Sequence, residues 1–133
     1  SMNAKFVPSS AAPRETLDWG ILGSMSRPSV TGAQHLTVLE VTLFPGQGHA
    51  FHKHPDQEEV IVALEGEVEQ WLEHEKRSLR PGDSAFIGAG VVHASYNTTA
   101  APIKLLAILG PCVGADGYET VDMSTQAPYN TLR

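Results

Sequence analysis

Short apolar runs recur at even intervals between His35 and Gly110, and each is closed by a glycine or proline signal: Pro45-Gly46, Gly48, Gly66, Pro81-Gly82, Gly88 to Gly90 and Gly110-Pro111. Strands of about four to eight residues fit such runs, whereas a helix needs a longer window with an apolar stripe every ~3.6 residues. No window of helical length carries that stripe. The chain is therefore expected to be all-β, a small sandwich or barrel, with no more helix than a turn near its start.

At 133 residues and 14.3 kDa the chain has room for one domain whose core needs neither disulfides nor a structural metal. Residues 1–34 read as an N-terminal arm. Its stretch Val7-Pro8-Ser9-Ser10-Ala11-Ala12-Pro13 has no sustained period, and the patch Leu17, Trp19, Ile21 and Leu22 needs a surface to cover. Residues 35–111 form the barrel, opening with a Val-, Thr- and Leu-rich strand from His35 to Phe44. Residues 112–133 extend the same domain, with one strand-like piece from Tyr118 to Met123. Ser1 ahead of Met2 reads as the remnant of a cleaved tag.

The formal charge of -6 and the lack of any cluster among nine basic residues argue against nucleic acid or an anionic membrane surface as a partner. Cys112 is the only cysteine, which rules out an intramolecular disulfide and multi-cysteine zinc sites. No apolar leader or membrane-length span is visible, so a cytoplasmic protein is expected. Strand parity assigns Glu65, Glu67, Glu69, Glu73 and Glu75 to a water-facing row, with Val68, Gln70 and Leu72 facing inward and His74 close to a turn. Trp71 is the one apolar member of the outer row and points to a contact with another surface.

His52 and His54 are two apart, so on an extended strand their imidazoles share a face and can converge on one ion. Glu59 follows after the turn Pro55-Asp56-Gln57, placed to return a carboxylate from the start of the adjacent strand. His93 comes after a glycine-rich turn that aims it across the barrel. Three imidazoles and a carboxylate suit a divalent transition metal ion (Fe, Mn, Ni, Cu or Zn) rather than Ca or Mg. Glu58 competes with Glu59 for the carboxylate role. His49 has the opposite parity to His52 and reads as loop or rim, His35 has no evident partner, and Gln57 reads as a turn residue able to orient water or substrate.

The spacing runs Gly46, five residues, His52-x-His54, four residues, Glu59, six residues, Gly66; later Gly82, five residues, Gly88-x-Gly90, two residues, His93, three residues, Asn97. This pattern resembles the two signature motifs of the cupin superfamily over roughly Leu36 to Leu109. The one visible departure is Gly88, where the family motif usually has proline. The resemblance implies a jelly-roll barrel, a metal held by His52, His54, Glu59 and His93, and a structural role for Asn97.

Proteins of this kind include dioxygenases, isomerases, epimerases, decarboxylases, lyases and binding proteins, so the fold alone does not choose a reaction. No inward Arg or Lys is evident, although Arg14 or Arg27 can fold over the mouth. A small neutral or singly charged oxygenated substrate is expected. Gln70, Tyr96 and His74 are the only acid-base candidates near the metal, and none is well placed. That tilts the expectation toward a metal-dependent, dioxygenase-like enzyme, ahead of an isomerase or lyase. A non-catalytic small-molecule binding or sensing protein is the alternative. Trp71 and the Trp19 patch together suggest a homodimer.

Overall fold

The computed structural model describes residues 3–133; Ser1 and Met2, and with them the reading of Ser1 as a tag remnant, lie outside the described residues. The strands in chain order are β1 (Arg14–Thr16), β2 (Gly20–Ser26), β3 (Thr37–Leu43), β4 (Gly48–Lys53), β5 (Glu58–Glu65) and β6 (Val68–Leu72). They continue with β7 (Glu75–Leu79), β8 (Ser84–Ile87), β9 (His93–Tyr96), β10 (Ile103–Gly110) and β11 (Val121–Asp122). Helix is confined to one turn at Pro28–Thr31 and a 3-10 turn at Ser9–Ala11.

Two antiparallel sheets face each other as a jelly roll. The larger runs β1-β2-β3-β10-β5-β8 and the smaller β11-β4-β9-β6-β7. Alternation does the sorting: along β3 the side chains of Thr37, Leu39, Val41 and Leu43 are buried while Val38, Glu40 and Thr42 are half-exposed, and β10 repeats the pattern with Ile103, Leu105, Ala107 and Leu109. Paired across the ladder, Leu43 meets Ile103 and Leu39 meets Ala107. These residues join Ile61, Val68 and Ile87 in the main core. Each large aliphatic buried there contributes about 1.5–3 kcal/mol.

The N-terminal segment is more than an arm. Its β2 pairs with β3 from Gly20↔Leu43 to Ser26↔Val38, and the patch that needed a surface finds one, since Trp19 and Leu22 pack against the main core. The C-terminal extension finishes the opposite side. β11 pairs with β4, and beyond it Met123, Tyr129 and Leu132 pack on Phe51, Trp71, Val92 and Ala94. Trp71 does stand in the outer row of β6, yet it is only 6% exposed, because the surface it meets is the chain's own tail.

Asn97, fully buried, ties three segments together. Its Nδ2 donates to the carbonyls of Leu43 and Ala101, and its Oδ1 accepts from the Thr99 N–H and hydroxyl. The turn before His93 is drawn tight by Gly90, whose φ of 76° a side chain rarely adopts.

Candidate metal centre

Both sheets contribute to the centre. His52 on β4 and His93 on β9 are direct neighbours in the smaller sheet, and His54 follows immediately after β4. Glu59 does not come from a strand adjacent to β4, as the turn had suggested. The turn at Pro55-Asp56 crosses between sheets, and Glu59 projects from β5 of the larger one. Glu58, its competitor, is exposed, whereas Glu59 and the three histidines are buried.

One ligand-capable nitrogen from each of His52, His54 and His93 lies within 4.8 Å of the others. Each ring's Nδ1 donates to a backbone carbonyl: His52 to Ala50 at 2.7 Å, His54 to Glu119 at 2.8 Å and His93 to Val91 at 2.9 Å. A carbonyl only accepts, so Nδ1 carries the proton and each neutral ring presents a bare Nε2. Glu59 Oε1 stands 2.9 Å from His93 Nε2 and 3.4 Å from His54 Nε2. Lone pair against carboxylate is no hydrogen bond, and Glu59 Oε1 and His93 Nε2 are both buried without a hydrogen-bond partner. A cation among these atoms satisfies them all, so the residues present fit a metal ion.

Titration follows from the same packing. Burial, then repulsion from His49 and His93, holds the His52 imidazole well below its ordinary range. Burial also presses His54 down, but the nearby Glu59 carboxylate, to which a protonated ring would donate, outweighs it and the net direction is up. Glu59 would be raised by its burial, yet the protonated forms of His54 and His93, which would donate to it and carry positive charge, hold it at about 2.

A cavity opens over this cluster, walled by Leu39, Val41, Leu43, Ile61 and Leu105 on the larger sheet and closed by Trp19 and Tyr118. The space open to the centre of a water molecule is about 50 Å³. At roughly 10–15 Å³ per water, that accommodates a few waters or a ligand of a few heavy atoms.

His49 belongs to this cavity, against the expectation from parity. Between His49↔Ser95 and His52↔His93 the register slips, so that Ala50 and Phe51 together oppose Ala94. This β-bulge resets the alternation and turns His49 inward with His52. Its ring stacks on His52 at 3.6 Å between centroids and on Trp19 at 4.6 Å. Burial, then the nearby His93 and His54, lowers its pKa to about 4.

The earlier acid-base candidates fare differently. Gln70 is buried but committed, accepting from the Ser95 hydroxyl at 2.6 Å and donating to the Trp71 carbonyl. Tyr96 lies on the outer face under Arg133, 3.7 Å from its ring centroid, and His74 is exposed in a turn. Arg14 bonds within the arm, and Arg27 sits over the Tyr118 ring. Gln57 is a clasp. Its Nε2 donates to the carbonyls of Pro111 and Gly117 and its Oε1 accepts the Glu119 N–H, which fixes the loop whose Glu119 carbonyl orients His54. Gly117, with φ 87° and the Thr37 hydroxyl donating to its carbonyl, lets that loop approach closely.

The family model for the cupin domain matches residues 39–109, more than half of the chain and the segment that holds all four clustered residues. The chain belongs to the cupin family. A stretch of 70 residues is 40% identical to an uncharacterized protein of Aquifex aeolicus, covering 53% of this cupin and 55% of that protein, so the chain spans about half of that relative's length. Over 110 residues it is 27% identical to an uncharacterized protein of Methanocaldococcus jannaschii, covering 83% and 88% of the two chains. Among solved structures, the polyketide cyclase RemF of Streptomyces resistomycificus superimposes with a TM-score of 0.74 at 21% identity, covering 97% and 98% of the two chains. A predicted oxalate decarboxylase of Thermotoga maritima does so with a TM-score of 0.71 at 20% identity, covering 80% and 99%. These two likenesses establish the shared fold.

Proposed function

We propose that this cupin is a metal-dependent enzyme of small-molecule metabolism, with one divalent transition metal ion on His52, His54, Glu59 and His93 and a small oxygenated molecule as substrate. The observation that carries the reading is the set of buried Nε2 and carboxylate atoms turned on one another beneath a cavity. A bound ion of this class supplies Lewis acidity, or electron transfer if it cycles redox state. Among the described residues no Arg or Lys lines the cavity, which supports a neutral or singly charged substrate over a phosphate or a dicarboxylate.

The case for oxygen chemistry rested on the lack of an acid-base group beside the metal. His49 and Tyr118 both line the cavity, so that ground falls away, and proton transfer at a carbonyl or enol becomes the reading the site supports best. Oxidation by O₂ is the second reading, supported by the apolar wall of the larger sheet, which excludes water. The polyketide cyclase named among the similar structures accords with the first reading.

The test loads the protein anaerobically with Fe(II) or Zn(II) at about one ion per chain, with His52→Ala and His93→Ala as controls that lose the metal. A panel of enediol, diketone and phenolic compounds follows, with oxygen uptake and products measured. Turnover sustained equally by Zn(II) and without oxygen consumption is the expected result. Turnover that needs Fe(II) and consumes oxygen selects the second reading. Tight binding with no turnover selects a binding or sensing protein. The assembly completes the proposal: a homodimer through the outer face of the larger sheet, where Phe86, Leu64 and Met25 stay exposed.

A further inference from the structure

The structure assigns His49 as the side chain that hydrogen-bonds a small ligand held at the His52, His54, Glu59 and His93 centre; this rests on the metal-binding reading above. Its position comes from the bulge, which places His49 and His52, three residues apart, on the same side of β4. Its orientation is set on both faces. Trp19 and His52 sandwich the ring at 15° and 12° from parallel, so only its edge, where the nitrogens are, is left to meet a ligand.

Most other polar groups of the cavity are already committed, Tyr118 being the exception. The Ser95 hydroxyl donates to Gln70, the Nδ1 atoms of His52 and His54 donate to backbone carbonyls, and the Tyr118 ring lies under the Arg27 guanidinium. Among the described residues none hydrogen-bonds the His49 ring. The facing wall is aliphatic. A polar atom of a bound ligand that does not meet the ion therefore has His49 to pair with, as donor or acceptor. His49 itself stands outside the set of converging ligand nitrogens.

The experiment uses the full chain loaded with Cu(II), with azide as the probe and its charge-transfer absorbance as the readout. His49→Phe keeps an aromatic ring in the stack and removes both nitrogens; His49→Leu is a second apolar variant if the first does not fold. The expected result is copper affinity within about twofold of the parent and an azide Kd raised about tenfold, the loss of one hydrogen bond. His49→Gln, which restores a donor and an acceptor, is expected to recover most of the affinity. An unchanged azide Kd in the apolar variants, or copper-loaded parent that binds no azide, overturns the assignment, as does loss of copper from His49→Phe, which would make His49 a ligand. Failure of the underlying reading looks different: the parent binds no copper, or His52→Ala and His93→Ala retain as much as the parent.

Discussion

The two sheets of this barrel are finished in opposite ways. The smaller one turns His49, His52 and Ser95 into the cavity, with His93 in the cluster beneath it, and backs them on its outer side with Phe51, Trp71 and Ala94, which the tail residues Met123, Tyr129 and Leu132 cover. The larger one presents an aliphatic wall with Glu59 inside, while its outer rows leave Phe86, Leu64 and Met25 in solvent. Polar groups gathered inside a sheet weaken its contribution to the core, and a second small core behind the same sheet compensates. The strands that hold the imidazoles are thus held from behind by the chain itself.

The same truncation on the two outer faces sharpens the contrast most. Trp71→Ala removes the centre of the small outer core, including its edge contact with Phe51 and its N–H bond to Glu69, and is expected to cost about 3–5 kcal/mol. Phe86→Ala, at 62% exposure, is expected to stay within about 0.5 kcal/mol. Urea denaturation of the two variants checks this. Equal costs would mean that the tail does not seal the smaller sheet as described.

The inner faces differ in their response to acid. In metal-free protein His49 has a folded pKa of about 4 against an ordinary 6.5, and His52 is depressed as well, so between these values the unfolded chain binds protons that the fold refuses. Stability is then full above about pH 6.5 and falls as pH drops toward 4. At about 1.4 kcal/mol per unit, His49 alone accounts for on the order of 3 kcal/mol, offset in part by His54, whose pKa moves up. Glu59 adds its own loss only below about pH 4.5. Denaturation of chelator-treated protein at pH 7, 5.5 and 4.5 reads the slope, and His49→Phe is expected to flatten it. Stability that holds or rises toward pH 4.5 would contradict the buried, neutral state of this wall.

What was legible in the sequence follows the same division. The glycine and proline punctuation marked the strands, and the spacing pattern marked His52, His54 and His93, three imidazoles that the fold clusters. Parity correctly put Val68 and Gln70 inside and Trp71 outside. It failed at His49, since a bulge changes the count by one and leaves no mark in the sequence when the residues involved are Ala50 and Phe51. The tail that covers Trp71 and the Glu119 carbonyl that holds His54 lie more than 50 residues downstream, and nothing in a tail of mixed composition announces which surface it will cover. That Glu59 reaches the centre from the opposite sheet was hidden for a similar reason: a short turn reads alike whether it joins neighbours or crosses the barrel.

The smallest expected effect on folding carries the sharpest test of the open face. In register across the larger sheet stand Phe86, Val60, Ile108 and Val38, with Val62 and Leu106 in the next row; of the charges on this face, Lys104 and Glu40 pair at 3.7 Å and Glu58 lies at the end of β5. Five strand spacings and strands of about seven residues give a face of roughly 24 by 23 Å, a projected area near 550 Å². A stable interface needs about 800 Å² per partner. The arm supplies the rest: Val7, Ser9 and Ala12 border a recess with Met25 and Glu40 of this face, and Phe6 beside them is 98% exposed. A second copy brings the same apolar rows, so a two-fold pairing is self-complementary, while exposed Glu58 at the rim and the chain's net charge of -6 oppose association. The double variant Phe86→Lys, Leu64→Lys is expected to fold with stability within about 0.5 kcal/mol per site of the parent, since both side chains are exposed. In light scattering at micromolar concentration the parent is expected at the mass of two chains and the variant at one. A parent already at 14.3 kDa, or a variant that remains at twice that mass, would remove the dimer and leave the larger sheet's outer face without a role.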